Sequence, residues 1–177
     1  MLFRSLAPER VRSLALVGTA GFGGNGHSPP TVRISGLSGA ARAAAHRQNL
    51  ASLMIAAPMH IDPLALAIQE ANTARRRVKL SRDRGAAFLP GVLERYVGPV
   101  SAVWGARDQF AQGRIEELIG RLRAARPDVA IGLFADTGHW VQYEAANAFN
   151  DFLLARLDAA AVPAGRAAAR CNLSVPQ

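Results

Sequence analysis

Three short apolar runs stand out along the chain, each ending at a glycine or a polar turn. They are residues 13–17 (SLALV), 100–104 (VSAVW) and 129–134 (VAIGLF), and they have the form of parallel strands buried within a sheet. Around them the apolar period lengthens to that of helices. Residues 114–125 place Ile115, Leu118, Ile119 and Leu122 on one face. Glu116 and Glu117 fall in the first turn and arginines in the last, the arrangement a helix dipole favours, and Pro127 stops the helix. A final helix, about residues 141–157, turns Ala145, Phe149, Phe152, Leu153 and Leu157 inward. Strand, helix, strand, helix predicts an α/β fold with a parallel sheet and right-handed crossovers.

The pattern divides the chain into a core of residues 1–28 and 89–158 and a mostly helical insertion, residues 29–88. Within the insertion one helix runs about residues 39–57, with Leu50, Leu53 and Met54 on one side. A second begins at Asp62-Pro63, a cap residue followed by proline at the first helical position, and continues to about Lys79. An insertion of this size at the mouth of an α/β sheet is expected to form a lid. The tail, residues 159–177 (AAAVPAGRAAARCNLSVPQ), is low in complexity and reads as disordered.

Composition narrows the classes of function. The 177 residues are 50% apolar, enough for one ordinary core, yet no apolar run approaches the roughly 18 residues of a membrane helix. The first residues, MLFRSLAPERVR, lack the form of a signal peptide, and Cys171, the single cysteine, fits a reducing compartment. These features predict a cytoplasmic protein without a membrane partner. The formal charge of +8 invites nucleic acid, but the arginines are spread along the chain. The one run, Arg75–Arg77, has no interleaved aromatics for base stacking and reads as a solvated helix end.

The stretch LVGTAGFGGNGHSPP carries a Gly-x-Gly-x-x-Gly string at Gly21, Gly23 and Gly26. A dinucleotide cradle must open a helix and be followed about 20 residues on by an acid for the ribose. Here His27-Ser28-Pro29-Pro30 blocks the helix, and no acid occurs between Glu9 and Asp62. GHSPP also fails as a nucleophile elbow, which needs a small residue where Pro30 stands. Ser38, in Gly36-Leu-Ser38-Gly-Ala40, has small residues on both sides and a helix following. The strand before it, TVRIS, is too polar for an elbow at a sheet centre, so capping the helix is the plainer role. His27, His46 and His60 show no metal-ligand spacing, and the sequence predicts neither metal nor cofactor.

Chemistry concentrates in the second half. Asp108 lies on the loop after VSAVW and His139 on the loop after VAIGLF, 139 − 108 = 31 positions later. In a parallel sheet both loops leave the carboxyl edge, where ligands collect, so the two side chains can meet. A carboxylate bonded to one imidazole nitrogen fixes the tautomer, leaving the other to take a proton from a nucleophile. Asp136, three residues before the histidine, is an alternative acid or an Asx turn.

On PERVRSLALVG, PVSAVWGARDQ and TGHWVQYEAANAFNDFLLARL the chain resembles the α/β-hydrolase family from its start to about Leu157. AAHRQNLASLMI and GHWVQYE are most similar to the branch of meta-cleavage-product hydrolases, which open carbon–carbon bonds in vinylogous diketones. The lid stretch IDPLALAIQ holds no arginine where those enzymes have one. The resemblance implies a partial α/β-hydrolase fold of about three parallel strands with flanking helices and a helical lid. It makes Asp108 the triad acid, His139 the triad base and Trp140 an aromatic wall of a small-molecule pocket. Family order is nucleophile, acid, base, with the nucleophile on a strand before PERVRSLALVG. MLFRSLAPER resembles the end of the helix after that elbow, so the resemblance implies that the elbow is missing and that the chain alone is an inactive fragment. Ser38 then stays as a displaced nucleophile in the right order. The first strand would lack its neighbour, leaving an edge open to a second copy or a complementing N-terminal fragment. A binding or assembly module using that edge or the basic surface is the alternative to an enzyme.

Overall fold

The computed structural model describes residues 10–23, 29–75 and 87–161. His27, Arg76, Arg77, Cys171 and most of the proposed disordered tail lie outside them. Three strands, β1 (Leu14–Val17), β2 (Val100–Gly105) and β3 (Ala130–Phe134), form a parallel sheet in the order β1-β2-β3. Leu14 aligns with Val100, and Ser101 with Ala130. β2 is buried along its whole length. The outer strands are only partly covered, and among the described residues each has a neighbouring strand on one side alone.

One face of the sheet carries the main core. Leu14 and Leu16 of β1, Val100, Ala102 and Trp104 of β2 and Ile131 of β3 pack with Phe22, Leu89, Leu93, Leu118, Ile119 and Leu122. The last three come from the helix at Ile115–Ala125, whose apolar stripe and charged ends match the sequence reading. The helix at Leu89–Glu94 supplies Leu89 and Leu93; its six residues are too few to show a period. On the other face Phe152 of the last helix meets Phe134 edge-on at 6.4 Å.

The insertion leaves and re-enters the core at one place. Phe22 and Ala87 form an antiparallel bridge, Leu89 N–H donates to Gly21 O at 2.9 Å, and the Arg121 guanidinium donates to Phe22 O at 2.6 Å. Between these ends stand α1 (Gly39–Leu53) and α2 (Pro63–Ala74), packed through Leu50, Ile55, Ile61 and Ala65. The helix at Leu89–Glu94 is α3 and that at Ile115–Ala125 is α4. α1 stops short of the predicted residue 57. The amides of Met54 and Ile55 both turn back to Leu50 O at 2.9 Å, which drives Ile55 into the cluster. The start of α2 is as predicted, with Asp62 Oδ1 accepting from Ala65 N–H at 2.8 Å.

The predicted single C-terminal helix is two, α5 (Val141–Glu144) and α6 (Ala146–Ala161). Ala145, at φ −124° and ψ 45°, breaks the course between them. The break lets α5 reach the insertion while α6 follows the sheet. Leu157, expected inward, is instead exposed.

Candidate active site

The carboxyl ends of all three strands converge on one pair of side chains. β2 runs into a tight turn in which Asp108 N–H donates to Gly105 O at 3.1 Å, and this turn carries the Asp108 side chain inward, 1% exposed. Both of its oxygens are used. Oδ1 accepts from Phe110 N–H at 2.9 Å, and Oδ2 lies 2.8 Å from His139 Nδ1. The expected acid–imidazole contact is therefore present. Because a carboxylate only accepts, this bond calls for a proton on Nδ1, and in the neutral ring Nε2 is then the nitrogen with the lone pair. The His139 side chain is 26% exposed, and no described residue bonds Nε2. Phe110 holds the ring edge-on at 4.8 Å.

The β1 end closes the pair from below. Gly18 donates its N–H to Val103 O at 2.9 Å and has φ +52°. A Cβ there would lie 2.7 Å from His139 Cε1 and 2.8 Å from Nδ1. Sequence reading gave Gly18 no role; only the folded sheet brings it under the imidazole.

The remaining candidates separate cleanly. Asp136 takes φ +59° and its carboxylate pairs with Arg107 at 2.7 Å, both side chains being exposed. It turns the loop and has no bond to His139. Ser38 occupies the N-cap position of α1 but makes no side-chain cap bond; it is exposed, and Arg42 N–H bonds its carbonyl instead. The expected hydroxyl cap is thus corrected. Nor does the fold bring Ser38 to the pair. The 15 residues of α1 put roughly 22 Å of helix between Ser38 and Met54, and it is Met54 whose carbonyl touches the histidine loop. His46 is buried with neither ring nitrogen bonded among the described residues, and His60 is half-buried. Among the described residues no cluster of three or more His, Cys, Asp or Glu side chains is placed to hold a metal ion.

Trp140 stands between the histidine loop and the insertion. Its N–H donates to Met54 O at 2.9 Å, its ring lies 6.0 Å from that of Tyr143, and it packs on the Leu50–Ile55–Ile61–Ala65 cluster. A cavity of about 340 Å³ opens beside the histidine loop, lined by Leu53, Met54, Ile55, Arg107, Gln109 and Gly138 among others. Trp140 is not part of that lining; it backs Met54 and Ile55, which are. Two residues of α5, just after the loop, carry no mark in the sequence. Tyr143 donates its hydroxyl to Asp62 Oδ1 at 2.6 Å, and Glu144 accepts three backbone amides. The Asp62 carboxyl is held below its ordinary value, first by the Tyr143 hydroxyl and then by the Ala65 amide. Burial, followed by that same carboxylate, raises the Tyr143 phenol.

No family model matches the chain. In sequence it is 26% identical over 157 residues to a 2-hydroxy-6-oxononadienedioate/2-hydroxy-6-oxononatrienedioate hydrolase of a Pseudomonas species, covering 83% of this chain and 54% of the relative. In fold it is similar to a meta-cleavage product hydrolase from Pseudomonas fluorescens, with a TM-score of 0.66 at 16% identity over 90% of this chain and 60% of the other. It is also similar to a 2-hydroxy-6-oxo-6-phenylhexa-2,4-dienoate hydrolase from a Rhodococcus strain, with a TM-score of 0.58 at 20% identity over 89% and 59%. The chain spans about half the length of the curated relative it matches. Its three parallel strands and flanking helices are part of an α/β-hydrolase fold, and its resemblance is to meta-cleavage product hydrolases. Among the described residues no helix is long and apolar enough to cross a membrane.

Proposed function

We propose that this chain supplies the acid and the base of a Ser-His-Asp hydrolase acting on a carbon–carbon or ester bond of a small organic substrate. The observation that carries the reading is the 2.8 Å contact between His139 Nδ1 and the buried Asp108 Oδ2. Asp108 fixes the tautomer and would stabilise the imidazolium; Nε2 would take the nucleophile's proton and return it to the leaving group. The cavity beside the loop, about 340 Å³, lies within the range of small-molecule sites, and α1 and α2 would form its lid. α1 separates Ser38 from the pair, and among the described residues no hydroxyl is bonded to Nε2, so a complementing N-terminal part would supply the nucleophile.

The test is complementation. The chain is co-expressed with the nucleophile-bearing part of a meta-cleavage product hydrolase, and hydrolysis of an activated ester and of a ring-cleavage product is followed. Hydrolysis should appear in the complex, vanish with His139→Ala or Asp108→Ala, and persist with Ser38→Ala. Turnover that survives His139→Ala, or a stable complex that never turns over, overturns the proposal.

The open edge of β1 favours a second reading, an assembly module. Leu14 donates to Pro99 O, just before β2, and Gly18 to Val103 O within it, so by the alternation of a parallel ladder the amides and carbonyls of Ala15 and Val17 point the other way. Among the described residues nothing pairs with them, and Val17 is 36% exposed. If this edge assembles copies of the chain, sedimentation should show concentration-dependent association that Val17→Lys abolishes. A monomer at all concentrations removes this reading.

A further inference from the structure

Glu144 joins two segments that are far apart in the chain. Its Oε2 accepts the N–H of Gly138 at 2.6 Å, one residue before His139. Its Oε1 accepts the N–H groups of Ala56 and Ala57, each at 2.9 Å, just beyond the end of α1. No other described side chain bonds both segments. The approach is close enough to demand glycine at 138. A Cβ there would lie 2.7 Å from Met54 O, 2.9 Å from Ala56 N and 3.0 Å from Glu144 Oε2. Trp140 N–H adds a backbone bond to Met54 O at 2.9 Å.

From this geometry we infer that Glu144 is a positioning residue for His139: a carboxylate latch that fixes the histidine loop and the end of α1 as one unit. Two carboxylate oxygens can serve three donors with lone pairs to spare, whereas a glutamine keeps one accepting oxygen. The Gly138 amide is one peptide from the imidazole's own Cα, so holding it sets the direction from which the ring reaches Asp108. The end of α1 also lines the cavity through Met54 and Ile55. Seating of the insertion and orientation of the base are therefore expected to change together. The assignment rests on the proposed function only in giving His139 chemistry to perform.

The test uses the full 177-residue chain and no turnover. Hydrogen exchange is followed at residues 54–57, 64–66 and 136–140, and ¹⁵N spectra of the imidazole report its tautomer, in wild type, Glu144→Gln, Glu144→Ala and Tyr143→Phe. Losing a hydrogen bond to a charged group should raise exchange roughly ten- to hundredfold. Glu144→Ala should do so in both segments and mix the His139 tautomers, although Asp108 is untouched. Glu144→Gln, with its one acceptor, should loosen at least one segment and disturb the tautomer less. Tyr143→Phe should loosen the start of α2 alone and leave His139 as in wild type. The latch is overturned if Gly138 exchange and the His139 tautomer are unmoved in both Glu144 variants, or if only the α1 segment responds. Should Glu144→Ala not fold, Glu144→Gln decides on the same readouts. A latch that behaves as stated in a protein whose complementation assay fails would refute the hydrolase reading alone.

Discussion

Gly18→Ala tests whether the three strand ends meet at the imidazole as tightly as the geometry states. The substitution carries two separable costs. An L-residue at φ +52° loses about 1–2 kcal/mol to its own backbone. The new methyl, 2.7 Å from His139 Cε1 and 2.8 Å from Nδ1, must displace the ring, and overpacking of this kind costs about 1–3 kcal/mol. Together they amount to roughly 2–5 kcal/mol, against a total stability of about 5–15 kcal/mol for a domain. Gly39 supplies the control, since it shares φ +52° and has nothing within 4 Å of the added carbon. Urea unfolding of both variants, followed by fluorescence of the buried Trp104, should place Gly18→Ala about 1–3 kcal/mol below Gly39→Ala. In a His139→Ala background that difference should disappear, because the methyl then has room; the coupling energy measures the contact directly. If the two glycine variants agree to within about 0.5 kcal/mol, the imidazole is not seated on β1 and the geometry of the pair is wrong.

The two aspartates near the histidine should behave differently. Asp108→Asn should shift the His139 tautomer seen in ¹⁵N spectra, because an amide can donate to the ring. Asp136→Asn, which removes only an exposed pair with Arg107, should leave the spectrum alone and change stability by less than about 0.5 kcal/mol. Arg126 is nearly buried and donates to Tyr96 O at 2.6 Å, Gly98 O at 3.0 Å and both oxygens of Asp128. Arg126→Ala should therefore cost about 2–4 kcal/mol in urea unfolding. The lowered carboxyl of Asp62 supports the insertion above its ordinary value of 3.8, and that support is lost as pH falls through its lower folded value. The raised Tyr143 phenol acts at the opposite end, supporting the fold below its ordinary value of 10.0 and failing as pH rises through the higher folded one. NMR titration should show the Asp62 midpoint moving up in Tyr143→Phe.

What the sequence revealed and what it hid follow from the range over which each signal acts. The strands were readable to within a residue at each end because burial of a central sheet selects a continuous apolar run, and four to six residues suffice to show it. α4 was readable because its stripe and its charged ends agree. Asp108 and His139 could be paired before any coordinates, since parallel topology delivers both loops to one edge. The hidden features lack such local marks. Ala145 breaks a helix although alanine favours helices; the cause is the requirement that α5 and α6 face different partners. α1 stops before any proline because Ile55 is drawn into a cluster formed with Ile61 and Ala65.

Glu144 shows why a functional residue can stay silent in a sequence read by side-chain chemistry. On a helical projection it is one more charge near a helix start, and a solvated face is the ordinary explanation for it. Its three partners are backbone amides, which every residue but proline possesses and which no letter of the sequence marks. Two of them lie at positions 56 and 57, 88 and 87 residues away. The one local trace is Gly138, six positions earlier, but a glycine between a strand and a histidine is equally well explained by the turn itself. A carboxylate recruited by backbone becomes visible only when the segments it joins are in place. In the stretch GHWVQYE the divided labour then becomes apparent. His139 turns toward Asp108, while Trp140, Tyr143 and Glu144 reach for α1 and α2, so that seven consecutive residues tie the proposed base to the proposed lid.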